Sequence, residues 1–395
     1  MYVKELFWGP EGMEEKRYYF DWAASAPYIE TSPSSRVPYG NPSSLHSEGK
    51  AAKAALEDAR NRCAAVLGVP PATLYFTSGG TESNAIALFS NLMRKGQGRS
   101  IASRAEHSSV REAMETLERM GKPTGTITVD SAGKVTAENL EKALNKYGDV
   151  RFASVMSVNN ETGAVTDIAS IRDVIRKHSS PSVHLHCDLV QAAGKIPLDI
   201  EKWELDSASL SAHKIGGPKG IGLLYLRRPR SDIDIFYTGG GQEKGIRGGT
   251  ENIEGASVFA ACLEKHSGSQ AVPANYEKAE PRWSKLIASL AAMERCTIIP
   301  KERTVAGESF SPYILQAAFK GIPGEVMARA LDDLGFAVST GSACSSSSPE
   351  RPVLAAMGIK EDLRIEGIRI SQGYSTTDEE IEYFLNAVLE VLKFL

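Results

Sequence analysis

Apolar positions recur along the chain with two periods, one typical of helices and one of strands. Residues 47–67 carry apolar side chains at helical spacing and Gly68 ends the run, which predicts a helix. The apolar run Leu74–Thr77 predicts a short strand that enters a Gly79-Gly80 turn. Thr81 then opens a second helix that runs through Phe89. Strand, turn and helix therefore follow one another directly.

The same alternation continues along the chain. Further strand-like runs are 151–158, 183–187 and 207–210. A helical stretch, Ile168–His178, separates the first two, and this order predicts a mostly parallel sheet with helices on both faces. Ile221–Leu226 predicts one more strand, which we expect to be antiparallel. Because ligands bind beyond the carboxyl ends of such strands, we expect Thr81, Asn160 and Asp188 to converge there.

The pattern changes after about residue 262. Helical stretches at 275–293 and 378–395 flank strand-like pieces near 313–319 and 366–371. A chain of 395 residues is long for a single core. We therefore expect a large domain over residues 18–262 and a smaller α+β domain formed by residues 1–17 together with 263–395.

Composition narrows the class of protein. Hydrophobic residues make up 42% and charged residues 24%, as in ordinary soluble globular proteins. A net charge of −4 and a pI near 6.1 give no electrostatic case for binding nucleic acid or anionic membranes. No apolar stretch reaches the roughly 20 residues of a membrane helix, and no signal peptide is evident. The five cysteines are scattered, which favours a reducing cytoplasm over a disulfide framework or structural zinc.

A lysine and an aspartate stand in unusual settings near the middle of the chain. Lys214 lies between His213 and a Gly/Pro-rich loop, directly after an apolar strand, and Asp188 ends another apolar run. Pyridoxal 5'-phosphate (PLP) needs a lysine for its Schiff base and a carboxylate that keeps the pyridine nitrogen protonated. Lys214 and Asp188 are therefore our candidates for these two roles.

Several polar stretches are candidates for holding a phosphate group. Ser78-Gly79-Gly80-Thr81 precedes a helix, where backbone amides make an anion site, although a simple helix cap explains the same pattern. Ser211 and His213 add donors beside the lysine. The loop Gly239–Thr250 is either a surface connection or a nest for phosphate. A nucleotide P-loop motif is not present in the sequence.

Histidines offer two further hypotheses. His184, His186 and Asp188 fall on one face of a strand, so they are either metal ligands or hydrogen-bonded core residues, and we favour the second because no further ligand cluster appears. His107 precedes a helix, where it either caps that helix or stacks on a cofactor.

Cys344 and Arg369 complete the candidates. Cys344 lies in the small, polar segment Ser339–Ser346, whereas Cys63 and Cys262 lie in apolar runs. A cysteine in polar surroundings is a candidate nucleophile. Arg369 is a single arginine in a strand-like run, so it either pairs with an internal carboxylate or binds a substrate carboxylate.

Taken together, these motifs resemble the cysteine desulfurases, which belong to the class V group of fold-type I PLP enzymes. The resemblance extends from Tyr19-Phe20-Asp21 to Thr376–Glu380, and the segment Gly341-Ser342-Ala343-Cys344 is its most specific part. The other blocks are Gly40–His46, Thr77–Asn84, Glu106-His107, Val158–Gly163, Asp188 with Gln191, His213-Lys214 and Arg247–Asn252.

The resemblance implies a fold, a cofactor and a role for each candidate. It implies a mainly parallel seven-stranded sheet in the large domain. Lys214 would form the Schiff base, Cys344 would be the nucleophile, and His107 would stack on the ring. Asp188 would pair with the ring nitrogen and Gln191 with the ring hydroxyl. The residues implied to hold the phosphate are Gly80, Thr81, Ser211, His213 and, from the partner subunit of a homodimer, Thr250. Those implied to hold the substrate carboxylate are Asn160, which also belongs to the cofactor site, and Arg369.

The sequence departs from the family pattern at four places. The segment between Pro27 and Gly40 is short, which suggests that a helix is missing. Leu189 stands where alanine is usual, and we expect it to crowd the cofactor. Tyr374 replaces a common arginine, and Gly248 replaces serine or alanine.

The resulting hypothesis is a cytoplasmic, homodimeric enzyme that converts L-cysteine to L-alanine and transfers the sulfur through Cys344 to an acceptor or scaffold protein. The resemblance implies service in iron–sulfur cluster assembly or tRNA thiolation. One rival is a selenocysteine lyase or another class V lyase or aminotransferase, and a second is a non-catalytic or metal-binding scaffold.

Overall fold

The computed structural model describes residues 16–28, 37–93, 98–178, 182–228, 239–303, 309–341 and 351–395. Its strands are β1 (Tyr18–Tyr19), β2 (Leu74–Thr77), β3 (Arg99–Ser103), β4 (Thr124–Ile127), β5 (Val150–Met156), β6 (His184–Asp188), β7 (Ser207–Ser211), β8 (Gly222–Leu226), β9 (Cys296–Ile299), β10 (Ile314–Phe319), β11 (Phe336–Ala337) and β12 (Gly367–Ser371).

Its helices begin and end near the predicted positions where the apolar spacing is clear. They are α1 (Ser47–Leu67), α2 (Gly80–Met93), α3 (Ser108–Arg119), α4 (Ala137–Tyr147), α5 (Ile168–Lys177), α6 (Ile253–Ser267), α7 (Ala271–Ala291), α8 (Gly324–Asp333), α9 (Pro352–Ala356), α10 (Glu361–Glu366) and α11 (Asp378–Phe394). Helix α1 confirms its prediction in full, because Gly68 ends it in the left-handed conformation with φ of 66°. Among the described residues, no helix is both long and apolar enough to cross a membrane.

Seven strands form the large sheet in the order β2-β8-β7-β6-β5-β3-β4. All neighbouring pairs are parallel except those of β8, which runs antiparallel to both β2 and β7. The predicted sheet and its antiparallel strand at Ile221–Leu226 are therefore confirmed. Strands β3 and β4 were not predicted, because neither carries a long apolar run. The carboxyl ends of β2, β5, β6 and β7 meet at one edge of the sheet, where the polar candidates lie.

The apolar side chains gather in two principal clusters. One surrounds the large sheet and includes residues from Leu56 to Leu263, and the other surrounds the antiparallel sheet β12-β10-β9 with α7, α8 and α11. Tyr18 and Phe20 pack in the second cluster, and β1 pairs with β11. The N-terminal segment thus joins the C-terminal part of the chain, while the exact domain boundary remains a prediction.

Candidate active site

A cavity of about 220 Å³ opens at the carboxyl edge of the large sheet. Most of the polar residues singled out in the sequence line it. The lining residues are Ala23, Ala24, Gly80, Thr81, Asn84, His107, Ser109, Met156, Asn160, Asp188, Val190, Gln191, Ser211, His213, Lys214 and Arg369. They come from widely separated parts of the sequence, so the fold, rather than local sequence, assembles the site.

Lys214 reaches this cavity from a single 3₁₀ turn, Ala212–Lys214, that follows β7. Its Nζ donates hydrogen bonds to the carbonyl oxygens of Ala23 at 2.6 Å and Ala24 at 2.8 Å. These two carbonyls come from the N-terminal segment, which crosses the edge of the sheet. Hydrogen bonds to two backbone carbonyl oxygens therefore hold the amine in place.

Asp188 is the last residue of β6 and is buried. Its Oδ2 accepts a hydrogen bond from Asn84 Nδ2 at 2.9 Å, and its Oδ1 accepts one from the Val190 amide at 2.9 Å. Because both oxygens are held, the plane of the carboxylate is fixed.

The amide of Asn84 is itself fixed by a relay of side chains. Asn84 donates to Asp188 and to Ser109 Oγ, so its Oδ1 accepts from His186 Nε2 at 2.9 Å. His186 Nε2 then carries the hydrogen, and its Nδ1 accepts from Ser207 Oγ at 2.8 Å. Ser207 in turn accepts from His184 Nε2 at 2.7 Å. Each donor in this line therefore points toward Asp188.

The hydrogen bonds of His186 bear on the two hypotheses for the strand histidines. Both ring nitrogens of His186 form hydrogen bonds, and burial lowers its pKa to about 3, so the ring is neutral. Within the described ranges, no group of three potential ligands is arranged to hold a metal ion. The interpretation as hydrogen-bonded core residues is confirmed for His186.

His107 both caps helix α3 and lines the cavity. Its Nδ1 faces the Ser109 amide at 3.2 Å and Ser109 Oγ at 2.9 Å. Burial lowers its pKa, partly opposed by Asp188 and reinforced by Lys214. Its neighbour Glu106 is fully buried, and burial raises the pKa of that carboxyl well above its usual range. The ring of His107 is thus a neutral, fixed surface beside Asp188.

The N-terminus of helix α2 also lines the cavity, through Gly80 and Thr81. A Cβ atom added to Gly80 would lie 2.6 Å from Val190 Cγ2, so the backbone approaches that side chain closely. The first amides of the helix have no intrahelical acceptor, which makes this end a site for an anion. Ser211 and His213 lie beside it. Burial, followed by Lys214, lowers the pKa of His213 to about 4, so His213 offers a neutral hydrogen-bonding ring.

Arg369 forms the internal ion pair that was one of its two alternatives, and it also lines the cavity. Its Nη2 donates to Asp21 Oδ1 at 2.8 Å and its Nη1 to the Asn160 carbonyl at 3.1 Å. Nevertheless, among the described residues, Arg369 Nε and Asn160 Oδ1 are buried without a hydrogen-bond partner. The guanidinium is therefore paired internally and still lines the cavity with donor capacity to spare.

Thr250, one of the candidates, is exposed and does not line this cavity. Cys344 lies outside the described residues, as do residues 29–36 of the short N-terminal segment. Their predicted roles therefore stay predictions.

The structure corrects one departure and explains another. Leu189 does not crowd the cavity, because its fully buried side chain packs in the large hydrophobic cluster while Val190 faces the site. Tyr374 stacks on His266 with ring centroids 3.8 Å apart. Its hydroxyl donates to the Gly194 carbonyl at 3.3 Å, so Tyr374 links the C-terminal part of the chain to the large sheet.

Sequence reasoning missed three polar contributors: Asn84, Ser109 and Lys195. Asn84 lies one helical turn after Gly80, and this spacing alone could have placed it on the same face as the cavity. Lys195 is buried, with its Nζ 2.5 Å from Gln191 Oε1. Its sequence setting, Gly194-Lys195-Ile196-Pro197, carries no signal for such a contact.

Comparisons with known proteins agree with this fold. The family model for aminotransferase class-V matches residues 18–384. The chain is 36% identical over 386 residues to the cysteine desulfurase IscS of Vibrio cholerae, covering 94% of this chain and 91% of that relative. It is 35% identical over 365 residues to a cysteine desulfurase of Homo sapiens, covering 90% and 76%, respectively.

Solved structures are similar over the same extent. A NifS-like protein matches with a TM-score of 0.85 at 34% identity, covering 96% of this chain and all of that one. SspA in complex with cysteine matches with a TM-score of 0.75 at 28% identity, covering 92% of this chain. The fold is that of the fold-type I enzymes. The chain belongs to the cysteine desulfurase family within aminotransferase class V.

Proposed function

We propose that this chain is a PLP-dependent cysteine desulfurase that converts L-cysteine to L-alanine and passes the sulfur through Cys344 to an acceptor. The observation that carries the proposal is the convergence of Lys214 and Asp188 on one cavity. A helix N-terminus lies at one end of that cavity, and the guanidinium of Arg369 also lines it.

The lining residues fit the cofactor. The amides of Gly80 and Thr81, with Ser211 and His213, are donors suited to a phosphate group, and Thr250 of a second subunit would add to them. Asp188 would hold the ring nitrogen, Gln191 the ring oxygen, and His107 one face of the ring. When bound, PLP supplies an electron sink for the carbon from which a proton is removed.

Lys214 would carry the proton. Its amine lies in the cavity and, in the neutral form, accepts the α-proton of L-cysteine and returns a proton to the product. The carbonyls of Ala23 and Ala24 hold that amine within reach, at 2.6 and 2.8 Å, before any ligand binds.

Arg369 and Asn160 would hold the substrate carboxylate. The unpartnered Arg369 Nε supports this role, since a buried guanidinium gains from a further acceptor. The ion pair with Asp21 keeps the guanidinium in one orientation. A planar carboxylate is the ligand that such a preoriented group binds best.

Cys344 would be the nucleophile. Its thiolate attacks the sulfur of bound L-cysteine, so that an S–S bond forms while the bond between that sulfur and the substrate Cβ breaks. The electron pair of the broken bond stays with the carbon fragment, which takes up a proton and leaves as L-alanine. The persulfide on Cys344 then passes its outer sulfur to an acceptor thiol. An ordinary thiol has a pKa of about 8.5, so proton transfer from Cys344 is part of the step.

The test measures L-alanine and sulfide released by the purified holoenzyme from L-cysteine with a thiol acceptor. We expect both products from the wild type, none from Lys214→Ala, and no sulfide from Cys344→Ala. Release of selenide from selenocysteine with full activity in Cys344→Ala, and none from L-cysteine, would instead indicate a selenocysteine lyase.

We also propose that the enzyme is a homodimer, with Thr250 of each subunit reaching the phosphate of the other. The rigid attachment of its loop supports this arrangement. Glu243 accepts two hydrogen bonds from Arg60, at 2.7 and 2.8 Å, and one from the Phe76 amide at 2.9 Å. The buried ion pair fixes the loop to α1 and the Phe76 bond fixes it to β2, while Thr250 remains exposed. A cytoplasmic location and a protein acceptor for the sulfur remain part of the same proposal.

A further inference from the structure

Lys195 is a buried cation beside the proposed cofactor site. It is 4% exposed, and its Nζ donates a hydrogen bond to Gln191 Oε1 at 2.5 Å. In the part of the chain that the structure describes, no carboxylate forms an ion pair with it. Because an unpaired buried ammonium is costly, this position calls for a compensating negative charge.

The contact with Lys195 determines which way the Gln191 amide faces. An ammonium group can only donate, so Gln191 Oε1 must point toward Lys195. The NH₂ group then points the other way and donates to the Ala23 carbonyl at 2.8 Å. The same carbonyl accepts a hydrogen bond from Lys214 Nζ at 2.6 Å. Lys195 and Lys214 are thus connected through one side-chain amide and one backbone carbonyl.

The charges around Lys195 are mostly positive. Burial, followed by the charges of Lys214 and Arg369, lowers the pKa of Lys195 to about 7. Lys195 in turn contributes to the lowered pKa of His213. Arg369 is paired with Asp21, which neutralises one of these charges. Lys195 and Lys214 then leave net positive charge beside the cavity in which an anionic cofactor would lie.

We propose that Lys195 is a positioning residue: its ammonium holds Gln191 with the NH₂ group turned toward the ring oxygen of the cofactor and stabilises negative charge on that oxygen. This inference rests on the proposed function, because it takes PLP as the ligand. It assigns to Lys195 an action through Gln191, without contact between Lys195 and the reacting atoms.

A thermodynamic consequence follows from this geometry. An anionic ring oxygen favours the protonated form of Lys195, so binding of the cofactor raises the pKa of Lys195. In the protein without cofactor, the Lys195 amine is about half deprotonated near pH 7. When the cofactor binds above that pH, Lys195 takes up a proton. Removal of the lysine abolishes this part of the proton uptake.

The test uses Lys214→Ala chains, so that PLP binds without a covalent bond and the ring hydroxyl can be titrated by its absorbance. In Lys195→Met, we expect the pKa of the bound ring hydroxyl to rise by about one unit and PLP affinity at about pH 8 to fall about tenfold. Calorimetry in buffers of different ionisation enthalpy should show less proton uptake. Binding of 3-deoxypyridoxal 5'-phosphate, which lacks the ring hydroxyl, should be unchanged.

Two controls separate position from charge and folding. Lys219→Met removes an exposed positive charge that also affects His213, and it should leave the titration as in the parent chain. Lys195→Gln replaces Lys195→Met if the latter does not fold. In a Gln191→Ala background, Lys195→Met should lose most of its effect.

The outcomes distinguish the inference from the function on which it rests. PLP binding with an unchanged ring titration in both Lys195 variants would overturn the role of Lys195 alone. Equal weakening of PLP and its 3-deoxy analogue would overturn it as well, since the effect would not involve the ring oxygen. A folded parent chain that does not bind PLP would overturn both the inference and the proposed function.

Discussion

Asn84 and Asp188 are joined by a 2.9 Å hydrogen bond between an amide nitrogen on helix α2 and a carboxylate at the end of β6. The bond connects the helix proposed to hold the phosphate to the residue proposed to hold the ring nitrogen. His186 and Ser109 fix the orientation of the amide, so Asn84 can only donate to Asp188. The position of the carboxylate therefore depends in part on the buried ring of His186, which does not line the cavity.

Replacing Asn84 tests this dependence. We expect Asn84→Ala to lower kcat for L-alanine formation about 10- to 100-fold, the range for loss of a hydrogen bond to a charged group. Steady-state kinetics with the PLP-loaded enzyme would measure it. Ser90→Ala in the same helix, whose hydroxyl donates only to the Ala87 carbonyl, is the matched control and should keep its rate. Equal rates in Asn84→Ala and wild type would show that the relay has no bearing on Asp188.

Acid should destabilise the fold through His186. Its pKa is near 6.5 in the unfolded chain and about 3 in the folded chain. Below pH 6.5 the unfolded state therefore binds more protons, and the free energy of unfolding decreases as the pH is lowered. The loss from this residue alone is about 2 kcal/mol between pH 6.5 and 5. Urea unfolding across this range would measure it. His186→Gln should show a shallower pH dependence, and an unchanged slope would contradict the assignment.

The close approach of Gly80 to Val190 predicts a rescue. Gly80→Ala places a Cβ 2.6 Å from Val190 Cγ2, which should displace the start of α2 and weaken PLP binding about tenfold. Because the clash is with one methyl group, the double variant Gly80→Ala/Val190→Ala should recover most of the affinity. Fluorescence titration of the apoprotein with PLP provides the comparison. If Val190→Ala did not restore PLP binding, the loss in Gly80→Ala would not arise from the contact with Val190.

Mixed dimers test whether Thr250 acts across the subunit interface. Lys214→Ala is inactive in our account, and Thr250→Ala should bind PLP more weakly through loss of one phosphate contact. A heterodimer of the two variants contains one site with both Lys214 and Thr250 intact. Mixing should therefore restore up to half of the wild-type activity at low PLP concentration. If the mixture were no more active than the Thr250→Ala homodimer it contains, Thr250 would contribute to the site of its own chain.

The sequence was most informative where one segment carries both a structural and a chemical pattern. Helix α1, the strands around Asp188 and Lys214, and the turn at Gly80 were predictable because apolar runs end at polar residues. Leu189 was misjudged since a strand end does not reveal which of two adjacent side chains faces the site. Val190 proved to face the cavity, whereas Leu189 packs in the core.

The relay and the lysine contact were not predictable for a different reason. Asn84, His186 and Ser207 lie far apart in the sequence, and their hydrogen bonds depend on the pairing of β6 with β7 and on the packing of α2 over the sheet. Lys195 is similar, because a lysine in an ordinary polar turn is normally exposed. Only the three-dimensional structure shows that its ammonium is buried against Gln191.

The most direct test of the account is a single turnover of the PLP-loaded enzyme with L-cysteine and no acceptor thiol. We predict one L-alanine per active site and one added sulfur atom on Cys344, located by mass spectrometry of the digested chain. Lys214→Ala should give neither product, and Cys344→Ala should give no added sulfur. Formation of alanine while Cys344 stays unmodified, or no alanine from a fully loaded enzyme, would contradict the account.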